Sequence, residues 1–256
     1  MDAVYFGIFL SFLAGLSTAL GACVVFCRKG CAGEYLPFYM GFSAGAMVYI
    51  SFAEILNGAV QEIGLMTANV AFFFGIALAF FVERFLPHQH FEGIMCNGGL
   101  GKKRMLLKTG MVVAIGLALH NIPEGLAVFL TSAKETAIAI PLAIAIAIHN
   151  IPEGIAVSVP IFHATGSRKK AFIISALSGF AEPLGAILGF VFLYPFLTPY
   201  ILNLSLACVA GVMVFVSFDE IIPRAMRRRA EEIEIFGIVL GMVVMALTII
   251  LLRQGI

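Results

Sequence analysis

Eight stretches of this chain, at roughly 3–26, 35–57, 67–86, 109–130, 136–159, 168–192, 200–222 and 233–252, each supply the run of about 20 apolar residues that a helix needs to cross a bilayer. Sustained runs of this length exclude a β-barrel, whose strands would alternate in character over about ten residues at a time. With 61% hydrophobic residues, 12% charged residues and a mean hydropathy of +1.03, the chain has little left for a soluble domain. The expectation is an all-α integral membrane protein. It would form a single transmembrane domain over 1–256, with a cytoplasmic loop at 87–108.

The basic residues set the expected orientation. Arg28 and Lys29, then Arg84, Lys102, Lys103, Arg104 and Lys108, then Arg168, Lys169 and Lys170, then Arg224, Arg227, Arg228 and Arg229 all fall in odd-numbered connections. These are all but Lys134 and Arg253 of the 16 Lys and Arg residues, so the positive-inside rule places the odd loops in the cytoplasm and both termini outside it. The basic pair follows the first apolar run, which therefore reads as a retained helix and not as a signal peptide. Tyr5, Tyr35, Tyr39, Tyr194 and Tyr200 fall near the expected membrane boundaries. Topology accounts for the basic residues, and the formal net charge of +1 gives no ground for nucleic-acid binding. The expected location is the cell membrane, crossed many times. Cys23, Cys27 and Cys31 recur every four residues near the cytoplasmic end of the first helix and read as small packing residues, not as a disulfide framework.

Internal repetition carries the functional reading. "HNIPEG" occurs at His120–Gly125 and again at His149–Gly154, within the longer echo "AIGLALHNIPEGLAV" and "AIAIAIHNIPEGIAV". The offset of 29 residues is one crossing plus a turn, so the two motif helices run in opposite directions. A second echo joins "AGAMVYISFAEI" in helix two to "AGVMVFVSFDEI" in helix seven, and a fainter one joins "FGIAL" at Phe74 to "FGIVL" at Phe236. Helices one to three are thus expected to be an inverted copy of six to eight, with four and five as a symmetric kinked pair. This is the architecture of an alternating-access carrier with its site near the midplane. The same symmetry puts Glu54 near the outer mouth and Glu220 near the inner one, as relay groups.

Residues four apart share a helix face, so His120 with Glu124 and His149 with Glu153 each present an imidazole and a carboxylate together. Pro123 and Pro152 cannot donate, which frees the carbonyls of Leu119 and Ile148 and bends each helix beside these groups. Gly125 and Gly154 permit close approach by a neighbour. An ionisable group at the bilayer centre costs on the order of 2.5–3.5 kcal/mol on insertion scales and is seldom retained without a task. Two imidazoles and two carboxylates form a nitrogen and oxygen set suited to Zn²⁺ and other late first-row dications. Asn121 and Asn150 can add amide oxygens to an adjacent position, and Glu182, in "GFAEPLG", is a third carboxylate near mid-membrane. Several carboxylates in one dry cavity cannot all ionise without a cation, so arriving metal should displace protons. The ion is substrate, and no catalytic cofactor is expected.

These residues resemble the ZIP (Zrt-, Irt-like) family of divalent metal transporters over essentially the whole chain, most closely its bacterial branch. The resemblance implies a binuclear centre on helices four, five and six. One site would take His120, Glu124, His149 and Glu153; the second would take Asn121, Asn150, Glu182 and the bridging Glu153. It also implies transport toward the cytoplasm, with zinc as the usual substrate and iron, manganese, cobalt or cadmium accepted by broader members. The loop 87–108 has only His88 and His90 where many relatives carry a long histidine tract, and it reads as a solvated loop; His163 reads the same way. A homodimer stays open as the assembly. The rivals are an intramembrane metalloprotease, which lacks its H-E-x-x-H signature here, a metal sensor that moves nothing and, within transport, a channel-like uniporter in place of a carrier.

Overall fold

The structure, a computed structural model, describes residues 2–23, 36–84, 100–218 and 231–253. Helix α1 spans Asp2–Ala22. Helix α2 begins at Leu36–Ile50, passes through a π-helical turn at Ser51–Leu56 and continues over Asn57–Ile63. Helices α3 (Leu65–Glu83), α4 (Leu100–Lys134) and α5 (Thr136–Thr165) follow. Helix α6 runs over Arg168–Gly179 and Ala181–Leu188, then a π turn at Gly189–Leu193 and a 3-10 turn at Tyr194–Phe196. Helices α7 (Pro199–Val216) and α8 (Glu231–Arg253) complete the bundle. All eight are long and apolar enough to cross a membrane, and no strand occurs among the described residues.

Local chemistry explains the ends. Gly64 and Gly166 take positive φ, 82° and 67°, to close α2 and α5, and each donates its N–H to a carbonyl one turn back. Ser167 and Thr198 cap α6 and α7 by accepting from the N–H groups of Lys170 and Ile201. The elements differ from the apolar windows mainly where polar helix formers prolong them. Gln61 and Glu62 carry α2 on to Ile63. Lys102, Lys103, Arg104 and Lys108 lie within α4, so the last part of the segment expected as a loop is helical. His88, His90, Cys27, Cys31, Asp219 and Glu220 lie outside the described residues.

The helices sort into two groups by how closely their backbones meet. In the first, α1 packs on α5, and α4 packs on α5 and α6. Glycine makes these contacts: a Cβ at Gly125 would fall on the carbonyl oxygen of Glu182, one at Gly154 on that of Thr18, and Gly15 and Gly179 face each other's carbonyls. In the second group α2 pairs with α8 and α3 with α7. There Gly45 meets the carbonyl of Ile238 and Gly241 that of Phe42, while Gly211 meets Phe72 and Gly75 meets Cys208. Small residues let membrane helices approach to this distance, where dispersion and backbone contact replace a hydrophobic drive that lipid cannot supply. Among the described residues, each glycine pressed against a neighbouring helix backbone is pressed within one group and not across the two.

The outer members α3 and α8 carry the most lipid-like surface. Their windows are only 22% buried, and Phe73, Phe74, Phe81, Val239, Val243 and Leu247 all stand exposed. The α5 window, 78% buried, is the centre of the bundle.

Candidate metal centre

The two "HNIPEG" motifs lie in the middle of α4 and α5, and all of their polar side chains are buried. Glu124, His149 and Glu153 each offer a ligand atom within 4.8 Å of the others. The imidazole Nε2 of His149 and Oε1 of Glu124 are 3.1 Å apart, linking α5 to α4. His120 is buried close by but stands outside this group of three; its Nδ1 bonds the Gly116 carbonyl of its own helix, which directs Nε2 away from the backbone. The interhelical contact therefore holds one motif's histidine against the other motif's acid.

A second polar cluster lies against the first. Asn150 Nδ2 donates to Glu182 Oε2 at 2.7 Å and to the Ala14 carbonyl at 3.1 Å. Asn121 Nδ2 donates to the Ser178 carbonyl at 3.0 Å. Both amide nitrogens are thus tied to backbone of α1 or α6, which leaves both Oδ1 atoms without a protein hydrogen bond. Glu124 Oε2, Glu153 Oε2 and Glu182 Oε1 share that condition. Several buried oxygens that lack donors are costly in a dry interior, and cations or protons satisfy such a set.

Ser43 of α2 completes the surroundings, its buried hydroxyl donating to Glu153 Oε1 at 2.9 Å. The sequence reading missed it because the echo between helices two and seven begins one residue later, at Ala44, and Ser43 itself matches Val209. The buried hydroxyls of Ser11, Thr18, Ser175 and Ser178 on α1 and α6 were also passed over. Serine and threonine are too common in membrane helices to signal a site by pattern alone.

Glu54 sits in the π-helical turn of α2 and lines a polar cavity of about 220 Å³ with Glu62, Lys134, Glu135 and Asn203. Lys134 there donates to Asn203 Oδ1 at 3.0 Å and lies 3.5 Å from Glu62. Ile55, Leu142 and Leu206 line the same cavity and belong to the apolar core. Beside His120, an apolar cleft of about 350 Å³ opens between α4 and the α3/α7 pair. His163 is half-buried near the end of α5, its ring against Phe162.

Eight apolar helices around a buried set of imidazole, carboxylate and amide groups define a multi-pass helical membrane protein. Residues 89–249 match the family described as "ZIP Zinc transporter", and the chain belongs to that family. It is 40% identical to "Zinc transporter ZupT" of Clostridium perfringens, covering 98% of this chain and 97% of that one. It is 43% identical to the protein of the same name from Corynebacterium glutamicum, over 94% and 97% of the two chains. The likeness to the Streptococcus mutans protein of that name is 42%, over 94% and 96%. These relatives are transporters, and the chain is a transporter of this family and not an enzyme.

Proposed function

We propose that this protein carries Zn²⁺, and with it Fe²⁺, Mn²⁺, Co²⁺ and Cd²⁺, into the cytoplasm through a binuclear centre at the membrane midplane. The first site takes His120, Glu124, His149 and Glu153, and the second takes Asn121, Asn150, Glu182 and the shared Glu153. The observation that carries the reading is the buried convergence of Glu124, His149 and Glu153 from two oppositely directed helices. Tetrahedral nitrogen and oxygen sets favour zinc, and an oxygen-rich neighbour widens the range of ions. Carboxylates that exchange protons for a dication link transport to protons. Glu54 and Glu220 serve as relays at the outer and inner mouths.

An inverted repeat fits the contacts closely. One offset along the chain takes Gly45 to Gly211, Phe72 to Ile238, Gly75 to Gly241 and Phe42 to Cys208, so the two glycine pairings of α2/α8 and α7/α3 map onto each other. In the other group, Asn150 bonds the Ala14 carbonyl as Asn121 bonds that of Ser178. Likewise Gly21 meets the Ile151 carbonyl as Gly185 meets that of Ile122. This supports a single transmembrane domain with both termini on one side of the membrane, which the placement of Lys and Arg in the odd-numbered connections makes the extracytoplasmic side. It also shifts the equivalence of helices three and eight by one turn relative to the "FGIAL" and "FGIVL" echo, pairing Gly75 with Gly241.

The test is flux in proteoliposomes that enclose a metal-responsive dye and a pH dye. Saturable uptake of Zn²⁺ that Glu153→Ala reduces to background, with unchanged insertion, is the expected result. Zinc binding without flux would make the protein a sensor and sink the carrier reading. Selectivity follows from repeating the assay with Fe²⁺, Mn²⁺, Co²⁺ and Cd²⁺, and proton linkage from a lumenal pH change proportional to metal.

A further inference from the structure

Glu153 is held from outside its own helix group. Its Oε1 accepts the hydroxyl of Ser43 on α2, while α2 belongs with α8 in the other group. Both partners are buried, with Ser43 at 1% and Glu153 at 2% exposure, so water does not compete for the bond. The second oxygen, Oε2, has no protein partner. One turn along α2, Met47 Sδ lies 3.9 Å from the same hydroxyl and offers it a second, weaker acceptor. The offset that relates Gly45 to Gly211 puts Val209 of α7 in the place of Ser43, where it lines the apolar cleft beside His120. The hydroxyl is therefore present in one half of the bundle only.

We propose that Ser43 is a positioning residue that competes with the transported dication for Glu153, tying α5 to α2 whenever no metal is bound and releasing it when metal binds. The inference rests on Glu153 being a metal ligand. A hydroxyl bond to a bare carboxylate is charge-assisted and stronger than a neutral one. A dication on Glu153, whether it takes the unpartnered Oε2 or Oε1 itself, neutralises the charge that made the bond strong. The hydroxyl then turns along its own helix to Met47. Two consequences follow: Ser43 lowers metal affinity by the strength of the lost bond, and occupancy of the centre is passed to α2 as the loss of a tie.

The experiment measures the Zn²⁺ Kd of the purified full-length protein by competition with a chelating dye, together with KM and Vmax in proteoliposomes. Ser43→Ala is expected to tighten Kd and lower KM by roughly ten-fold, the change a lost charge-assisted hydrogen bond produces, and Ser43→Thr to restore both. A merely structural serine would lower Vmax through lost protein and leave Kd in place. If Ser43→Ala does not insert, Ser43→Cys, with the same shape and a weaker donor, reads the same shift at smaller size. A Kd that is unchanged or weaker in a well-inserted Ser43 variant overturns the proposal. Flux that survives Glu153→Ala at the wild-type rate overturns the ligand assignment instead, so the two failures are distinct.

Discussion

The α1/α4/α5/α6 group and the α2/α8 and α3/α7 pairs use the same glycine contacts for different ends. In the first group the interlocked backbones hold a polar interior: Gly125 is pressed on the carbonyl of Glu182 and Gly154 on that of Thr18, so the motif helices are clamped within a turn of their own functional side chains. In the second group the clamped faces are apolar and the outer faces meet lipid, as Phe72 against Gly211 and Phe42 against Gly241 show. Between the groups, contact passes through side chains. Among the described residues, the polar contacts that cross include Ser43 with Glu153 and Lys134 with Asn203 and Glu62. A ligand set needs positional accuracy of a fraction of an ångström, and backbone interlock supplies it more firmly than flexible side chains do.

Breaking that clamp should have the largest effect. Gly154→Val drives a side chain into the Thr18 carbonyl and the Ala22 amide, and overpacking against backbone should cost about 3 kcal/mol or more; the expected outcome is loss of monodisperse protein in detergent. Gly58→Ala, with nothing nearby, should melt like the parent and so sharpens the contrast. Next in size, Glu153→Ala should abolish Zn²⁺ flux while the thermal melt stays within a few degrees, because the clamp is intact. Asn150→Ala removes the amide that holds Glu182 and bonds the Ala14 carbonyl; it should retain some Zn²⁺ flux but change the ratio of Zn²⁺ to Fe²⁺ uptake. The smallest effect is expected at the surface tie. Lys134 and Glu62 are 26% and 53% exposed, so Glu62→Gln should change stability by no more than about 1 kcal/mol by denaturant melt, and less at high salt.

Much of this was legible in the sequence for reasons that can be named. Spans are visible because hydrocarbon demands long apolar runs, and the motif residues are visible because ionisable groups inside such runs are expensive. Repetition made the two motifs visible as a pair. Helix ends were legible only where glycine or a capping hydroxyl marked them, at Gly64, Gly166, Ser167 and Thr198. The extension of α2 through Glu62 was not, since a membrane helix that leaves the apolar layer and continues in polar surroundings has no hydropathy signal. The "FGIAL" and "FGIVL" echo does not by itself fix a register between helices three and eight, because apolar small residues repeat often enough to align in more than one way.

By itself the sequence determined that the chain crosses a membrane as eight helices and that two histidine, asparagine and glutamate sets lie within it; both follow from transfer energies that act residue by residue. Only the tertiary structure decided which of those groups meet. It set His149 against Glu124, Asn150 against Glu182 and Ser43 against Glu153, and it left His120 beside an apolar cleft. Those pairings depend on where one helix presses on another, and a glycine's depth of approach is a property of the two backbones together, which no single stretch of sequence contains.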